Sequence, residues 1–211
     1  MAQPEKPGAQ KPAAETARRG YHHGNLLEAL VEAAAALVAE RGPEGFSMLD
    51  AAKACGVSAS APYKHFADKA ALLQELARRG GQKLFDRLGV AWNGGRPEAP
   101  KAFLRLGHAY LAFAREEPGY YLAMFRPGAP PPPPLDPATS PMGAALAALG
   151  VGGAQGSGIA LQIWALSHGL ASLERSGHLP MPAEEMIDTG VGRLLRGLAV
   201  ERGVPPPAAP A

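Results

Sequence analysis

Apolar residues recur at helical spacing along most of the chain. Leu27, Leu30, Val31, Ala34, Leu37 and Val38 mark one face of an amphipathic helix from Asn25 to Arg41, which Gly42-Pro43 stops. Ser47, followed by Asp50, is placed to cap a short helix that Gly56 closes just after Cys55, and Ser58 to cap another that ends at Phe66. Asp68 opens a longer helix through Leu72, Leu73, Leu76, Leu84 and Leu88, ending near Trp92-Asn93-Gly94-Gly95. The Gly80-Gly81 pair weakens its middle and offers a place for a kink. Beyond Pro97, the positions Phe103, Leu106, Gly107, Tyr110, Leu111 and Ala114 predict one helix, and Pro118 to Phe125 a second. The segment Pro127 to Pro141 interrupts the pattern, which resumes from Met142 to Leu149. A glycine-rich joint, Gly150 to Gly158, then leads into a helix from Ile159 to Arg175, and a last helix runs from about Pro182 to Arg202. Period-two alternation is missing, so the expected fold is all-α with about nine helices.

Composition sharpens this picture only once positions are considered. With 26 Gly and 22 Pro in 211 residues the chain approaches low-complexity composition. Proline, however, clusters at the N-terminal end, in Pro127 to Pro141 and in Pro205 to Pro210, and the 46% hydrophobic content supports one domain with a core or two small ones. Lys and Arg number 21 against 19 Asp and Glu, a net charge of +2, so a nucleic-acid site must be a local patch. A single cysteine, Cys55, excludes an internal disulfide. No apolar run reaches membrane-spanning length and no apolar signal region opens the chain, so a soluble cytoplasmic protein without a membrane partner is expected.

The stretch from Phe46 to Phe66 has the chemistry of a helix-turn-helix. Small Ala51 and Ala52 let two helices cross closely, Gly56 supplies a left-handed turn residue, and Val57, Tyr63 and Phe66 can fill the seam. The second helix would present Ser58, Ser60, Lys64 and His65, short donors and a cation that suit a major groove. Local charge agrees: from 53 to 79, Lys53, Lys64, Lys69, Arg78 and Arg79 stand against Asp68 and Glu75, a net +3. On helix lengths alone, an ordinary αα-hairpin in a bundle fits as well.

Gly56-Val57-Ser58, then Tyr63-Lys64-His65-Phe66, then Asp68-Lys69, Leu72 and Leu73 resemble the DNA-binding domain of the TetR/AcrR family of bacterial transcriptional regulators, over roughly Tyr21 to Leu76. The resemblance implies that Tyr63 and His65 contact operator DNA and that Lys69 holds a phosphate. It also implies that Ser58 and Ser60 lie against backbone or bases, with Ser47 and Lys64 completing the set. Pro62 stands where many members carry leucine; it removes only an early helical hydrogen bond and resembles an Ala-Pro-Tyr form found in one branch. Tyr21-His22-His23-Gly24-Asn25-Leu26, Pro118 to Phe125 and Trp164 to Gly169 resemble that same branch, whose C-terminal domain carries a Trp, His, Gly signature. Arg18, Arg19, Tyr21, His22 and His23 would extend the interface as an arm against phosphates or a minor groove, the alternative being a solvated tail. The adjacent histidines lack further ligands at suitable spacing, so no metal is expected.

Ile159, Ile163, Leu166, Leu170 and Leu173 form a stripe in alternating steps of four and three, while Leu161, Trp164 and His168 fall on the opposite side. A helix apolar on both sides needs two covers, and a second subunit is one candidate, a thick monomeric core the other. Ile187, Val191, Leu194 and Leu198 add a similar stripe on the last helix, and the resemblance implies a four-helix homodimer interface. Phe103, Tyr110, Phe113, Tyr121, Met124, Phe125, Trp164 and His168 gather aromatic, thioether and polar groups that could line a small-molecule pocket or simply form core. The resemblance favours sensing of an unidentified effector, with repression at a palindromic operator.

The expected layout is therefore an arm over 1–20, a helix-turn-helix domain over 21–67, a helical ligand and dimerisation domain over 68–203 and a disordered tail over 204–211. Neither a nucleophile with its base, a metal box nor a Walker lysine is legible, so no enzyme and no cofactor are expected. The Pro130 to Pro134 run reads as a loop more readily than as a polyproline ligand. The competing reading is a small-molecule or interaction module whose helix-turn-helix is purely structural.

Overall fold

The structure, a computed structural model, describes residues 26–130 and 140–201, with the side chains of 154, 198, 199 and 201 excluded. The arm, the tail and most of the proline segment lie outside the described residues. Within them the chain is all-helical: α1 (Leu26–Arg41), α2 (Met48–Ala54), α3 (Lys69–Trp92), α4 (Ala99–Glu116), α5 (Pro118–Met124), α6 (Pro141–Ala148), α7 (Gly153–Arg175) and α8 (Ala183–Glu201).

The N-terminal elements follow their capping chemistry. Ser47 accepts from the Asp50 amide at 3.2 Å, and the Asp50 carboxylate accepts from the Ser47 amide at 2.8 Å, so two orphan donors at the start of α2 are satisfied reciprocally. Gly56 takes a left-handed conformation, φ +67°, and turns the chain back. Asp68 caps α3 by accepting from the Ala71 amide at 2.8 Å. Phe46, Met48, Ala51 and Phe66 are buried in one core with Leu30, Val31, Ala34 and Val38 of α1.

Two expectations about helices are corrected. The segment 58–66 is not an α-helix but a turn followed by a 3-10 turn, Pro62–Lys64, which leaves eight α-helices among the described residues. Proline at 62 has no N–H to offer the Ser58 carbonyl, so the Ala61 amide takes it instead at 3.0 Å, and the Lys64 and His65 amides likewise bond three residues back. The glycine-rich joint is also shorter than expected, because α7 begins at Gly153, with Val151 buried beside Gly156. The Gly80-Gly81 pair leaves α3 a single helix from Lys69 to Trp92; a Cβ at Gly80 would come within 2.9 Å of the Met124 sulfur, so that glycine serves a close helix contact.

α3 links the N-terminal three elements to a C-terminal bundle. α5 packs on α1 as well as on α3, with Gly119 against the Ala35 carbonyl and the Tyr120 hydroxyl donating to Glu32 at 2.6 Å. Arg79 of α3 joins Glu28 of α1, and Glu75 holds both Arg78 and Arg79. The Arg78 and Arg79 guanidinium groups hold the Glu75 carboxyl down at about 2. In the bundle, α4 lies against α7 and α8, and Gly107 admits Ile187 so closely that an added Cβ would sit 2.6 Å from its side chain. Phe103, Phe113, Tyr120, Tyr121, Ile163 and Ile187 are among the largest buried side chains of this body.

Candidate nucleic-acid interface and ligand cavity

Turns between α2 and α3 place a row of polar side chains on the surface. Ser58, Ser60, Tyr63, Lys64 and His65 are all exposed, with Tyr63 57% accessible. The expectation that Tyr63 fills the seam between the helices is thereby corrected: buried Pro62 and Phe66 do so, and the phenol points outward. The Ser58 and Ser60 hydroxyls lie 3.3 Å apart. Ser47 is exposed too, yet its hydroxyl is engaged in the α2 cap. Lys69 is half-buried: its ammonium donates to the Glu44 carbonyl at 3.1 Å and lies 5.0 Å from the Phe46 ring centre. The nearby carboxylates Asp50 and Asp68 are held at helix N-termini, where partial positive charge offsets them, and hydrogen bonds from Ser47 lower the Asp50 pKa. Lys53 and Lys64 remain as exposed cations of this surface. Arg18, Arg19, Tyr21, His22 and His23 lie outside the described residues.

A second feature sits in the C-terminal bundle. A cavity of about 390 Å³ opens between α3, α4, α5, α6 and α7. Of the residues expected to line it, Tyr110, Met124, Phe125 and Trp164 do. Phe103 and Phe113, grouped with them for their aromatic rings, do not: both are 1% accessible and packed in the core. Tyr121 and His168 stand behind the wall. The Tyr121 hydroxyl is 2.9 Å and the Tyr110 hydroxyl 3.2 Å from His168 Nδ1, and the imidazole centre is 4.4 Å from that of Phe125. Burial, with Arg175 nearby, lowers the His168 pKa and so favours the neutral ring; burial raises the pKa of Tyr110 and Tyr121. His168 is thus tied through Nδ1 to Tyr110 of the wall and to Tyr121 behind it. The remaining wall was not anticipated from sequence. Leu84, Phe85 and Leu88 of α3, Met142 of α6, and the small residues Gly81 and Ser167 carry no chemistry that marks a pocket in a linear pattern.

The stripes assigned to a subunit interface divide differently. Ile163, Leu170, Ile187 and Val191 are between 0 and 3% accessible in the single chain, so they have no surface left for a second one. Their four-three spacing reports the protomer's own core. Leu173 is 46% accessible, Ile159, Leu166 and Leu194 are half-buried, and the Leu198 side chain lies outside the described set. Leu161, placed on the other side by the wheel, is 55% accessible at the cavity mouth.

No grouping of histidine, cysteine and carboxylates among the described residues could hold a metal, and none of the described helices is long and apolar enough to cross a membrane.

Comparison with known proteins places both regions. Residues 30–76 match the family described as bacterial regulatory proteins, tetR family, and residues 103–198 match the tetracyclin repressor-like C-terminal domain. An uncharacterized HTH-type transcriptional regulator of Bacillus subtilis (strain 168), YobS, is 37% identical over 100 residues, which cover 47% of this chain and 51% of that protein. The chain therefore spans about half the length of the curated relative it matches. A solved structure of a protein of unknown function from Rhodococcus sp. RHA1 is 31% identical with a TM-score of 0.69, covering 85% of this chain and 98% of that one. PfmR from Thermus thermophilus, a TetR family transcriptional regulator, shares the fold at 20% identity and a TM-score of 0.54, covering 75% and 92%. With a helix-turn-helix segment and a C-terminal helical domain that both match, the chain belongs to the TetR family of transcriptional regulators.

Proposed function

We propose that the chain is a ligand-responsive repressor that binds a palindromic operator as a homodimer, using the surface from Ser58 to His65 for recognition. The observation that carries this reading is the outward display of Tyr63, Lys64 and His65 over a core closed by Pro62 and Phe66. The phenol, the cation and the imidazole lie together on the face that a major groove would meet. One such surface spans only a few base pairs, and two copies about 34 to 36 Å apart would read successive major grooves. The accessible Leu173 with the partly covered Leu166 and Leu194 is the surface on α7 and α8 that a second copy would cover. Residues 1–20 and the histidine pair would add phosphate contacts, and Lys69 would exchange Glu44 for a phosphate.

The cavity is proposed as the effector site. α5 and its C-cap supply Met124 and Phe125 to its wall, and α5 supplies Gly119 and Tyr120 to α1, so an occupant that displaces α5 would shift the N-terminal elements. No enzymatic role is proposed.

Binding to the DNA flanking its own coding region, measured at two salt concentrations, tests the reading. Specific retention with a steep salt slope is expected, with specificity lost in Tyr63→Ala or His65→Ala. Equal affinity for random DNA, unchanged by either substitution, would favour a module whose helix-turn-helix is structural.

A further inference from the structure

We infer that the cavity takes an uncharged, largely apolar molecule that carries an N–H or O–H donor, and that it rejects carboxylates, phosphates and sulfonates. The inference rests on the reading of this cavity as the effector site and adds the chemistry of its ligand. None of the described residues lining the cavity is charged. Leu84, Phe85, Leu106, Met124 and Trp164 instead give it an apolar wall. A ligand anion would lose its hydration and find no cation among these groups.

The lining hydroxyls point to the same class. Ser167 donates its proton to the Ile163 carbonyl at 2.9 Å, and Ser157 donates to the Gly153 carbonyl at 3.4 Å. Both oxygens therefore offer lone pairs, which suit a donor on the ligand and repel an oxyanion. Tyr110 is engaged with His168 at 3.2 Å. Ser140 accepts from the Gly143 amide at 2.9 Å and keeps its own proton, a donor for a neutral ligand oxygen. Burial keeps the neighbouring imidazole and phenols neutral as well. The volume of about 390 Å³ falls toward the small end of ligand sites, enough for a molecule of two or three fused or linked rings.

Two fluorescent probes that share one ring skeleton test this directly. N-phenyl-1-naphthylamine is neutral and carries one N–H; 1-anilinonaphthalene-8-sulfonate adds a sulfonate. The chain has two tryptophans, Trp92 and Trp164, so Trp92→Phe leaves the cavity residue as the sole reporter. Titration of the full chain should show Trp164 quenched by the neutral probe, with an affinity at least about a hundredfold above that for the sulfonate. Met142→Lys, which brings a cation to the wall, should narrow that ratio at least about tenfold. If its thermal melt shows it unfolded, Leu88→Lys serves the same purpose. Equal affinities for the two probes, a preference for the sulfonate, or no quenching by either would overturn the inference. Because these titrations contain no DNA, they are independent of regulation. Selective binding of the neutral probe without release of bound DNA would count against the effector reading and leave the cavity chemistry standing.

Discussion

Gly119→Ala tests the contact that joins the two halves of the molecule. A Cβ built on Gly119 falls 2.0 Å from the Ala35 carbonyl oxygen and 2.6 Å from its carbon, both in the backbone of α1. Ordinary contact begins at 3.4 Å, so α5 and α1 must separate by roughly 1.4 Å along that direction. A helix backbone cannot rotate aside as a side chain can. The same interface holds the Tyr120 to Glu32 hydrogen bond of 2.6 Å, which that displacement would break or bend. The expected cost is about 3 kcal/mol, at the upper end of overpacking. For a chain of this size that lowers Tm by about 6 to 12 °C. Gly81→Ala is the control. It lies in α3 with nothing within 4 Å of an added Cβ, so the gain in helix propensity of about 0.5 to 1 kcal/mol should raise Tm slightly. Thermal melts of both variants followed by circular dichroism decide the matter. A Gly119→Ala protein as stable as the parent, or stabilised like Gly81→Ala, would refute the packing of α5 on α1.

Other expectations follow from charge and burial. Ionised Glu75, held at about 2 chiefly by the Arg78 hydrogen bond and then by Arg79, stabilises the fold fully above pH 4.5, and that contribution is lost as pH falls toward 2. Urea midpoints of Glu75→Gln should therefore decline less steeply than those of the parent across that window; parallel curves would contradict the network. Leu173→Glu, at a 46% accessible position, should keep its helicity and sediment as a monomer, whereas Leu170→Glu, at a 3% accessible one, should unfold. A folded Leu170→Glu chain, or a Leu173→Glu chain that still dimerises, would reverse that assignment.

Most elements are legible in the sequence because their signals are local. Ser47, Asp50, Gly56 and Asp68 act within a few residues of themselves, and each does in the structure what its position implies. The 3-10 turn is not, because one proline among cap and helix formers reads as a tolerable first-turn residue; with no N–H at Pro62, the Ser58 carbonyl pairs with the Ala61 amide instead, and that decides the geometry. Apolar spacing identifies the helices but not what each face meets. Ile163 and Leu173 belong to one stripe, yet one is core and the other surface, since neighbouring helices cover only part of the face. The cavity is half legible for a related reason: aromatic and thioether residues mark themselves, whereas Gly81, Ser157 and Ser167 line a space through being small.

The central claim is that the surface carrying Tyr63, Lys64 and His65 reads DNA in two copies. Footprinting of the full chain on the DNA flanking its coding region measures this most directly. Two protected half-sites are expected, related by a two-fold axis and spaced by a whole number of helical turns, with protection lost in Tyr63→Ala. A single diffuse footprint, or one that Tyr63→Ala leaves unchanged, would contradict the claim.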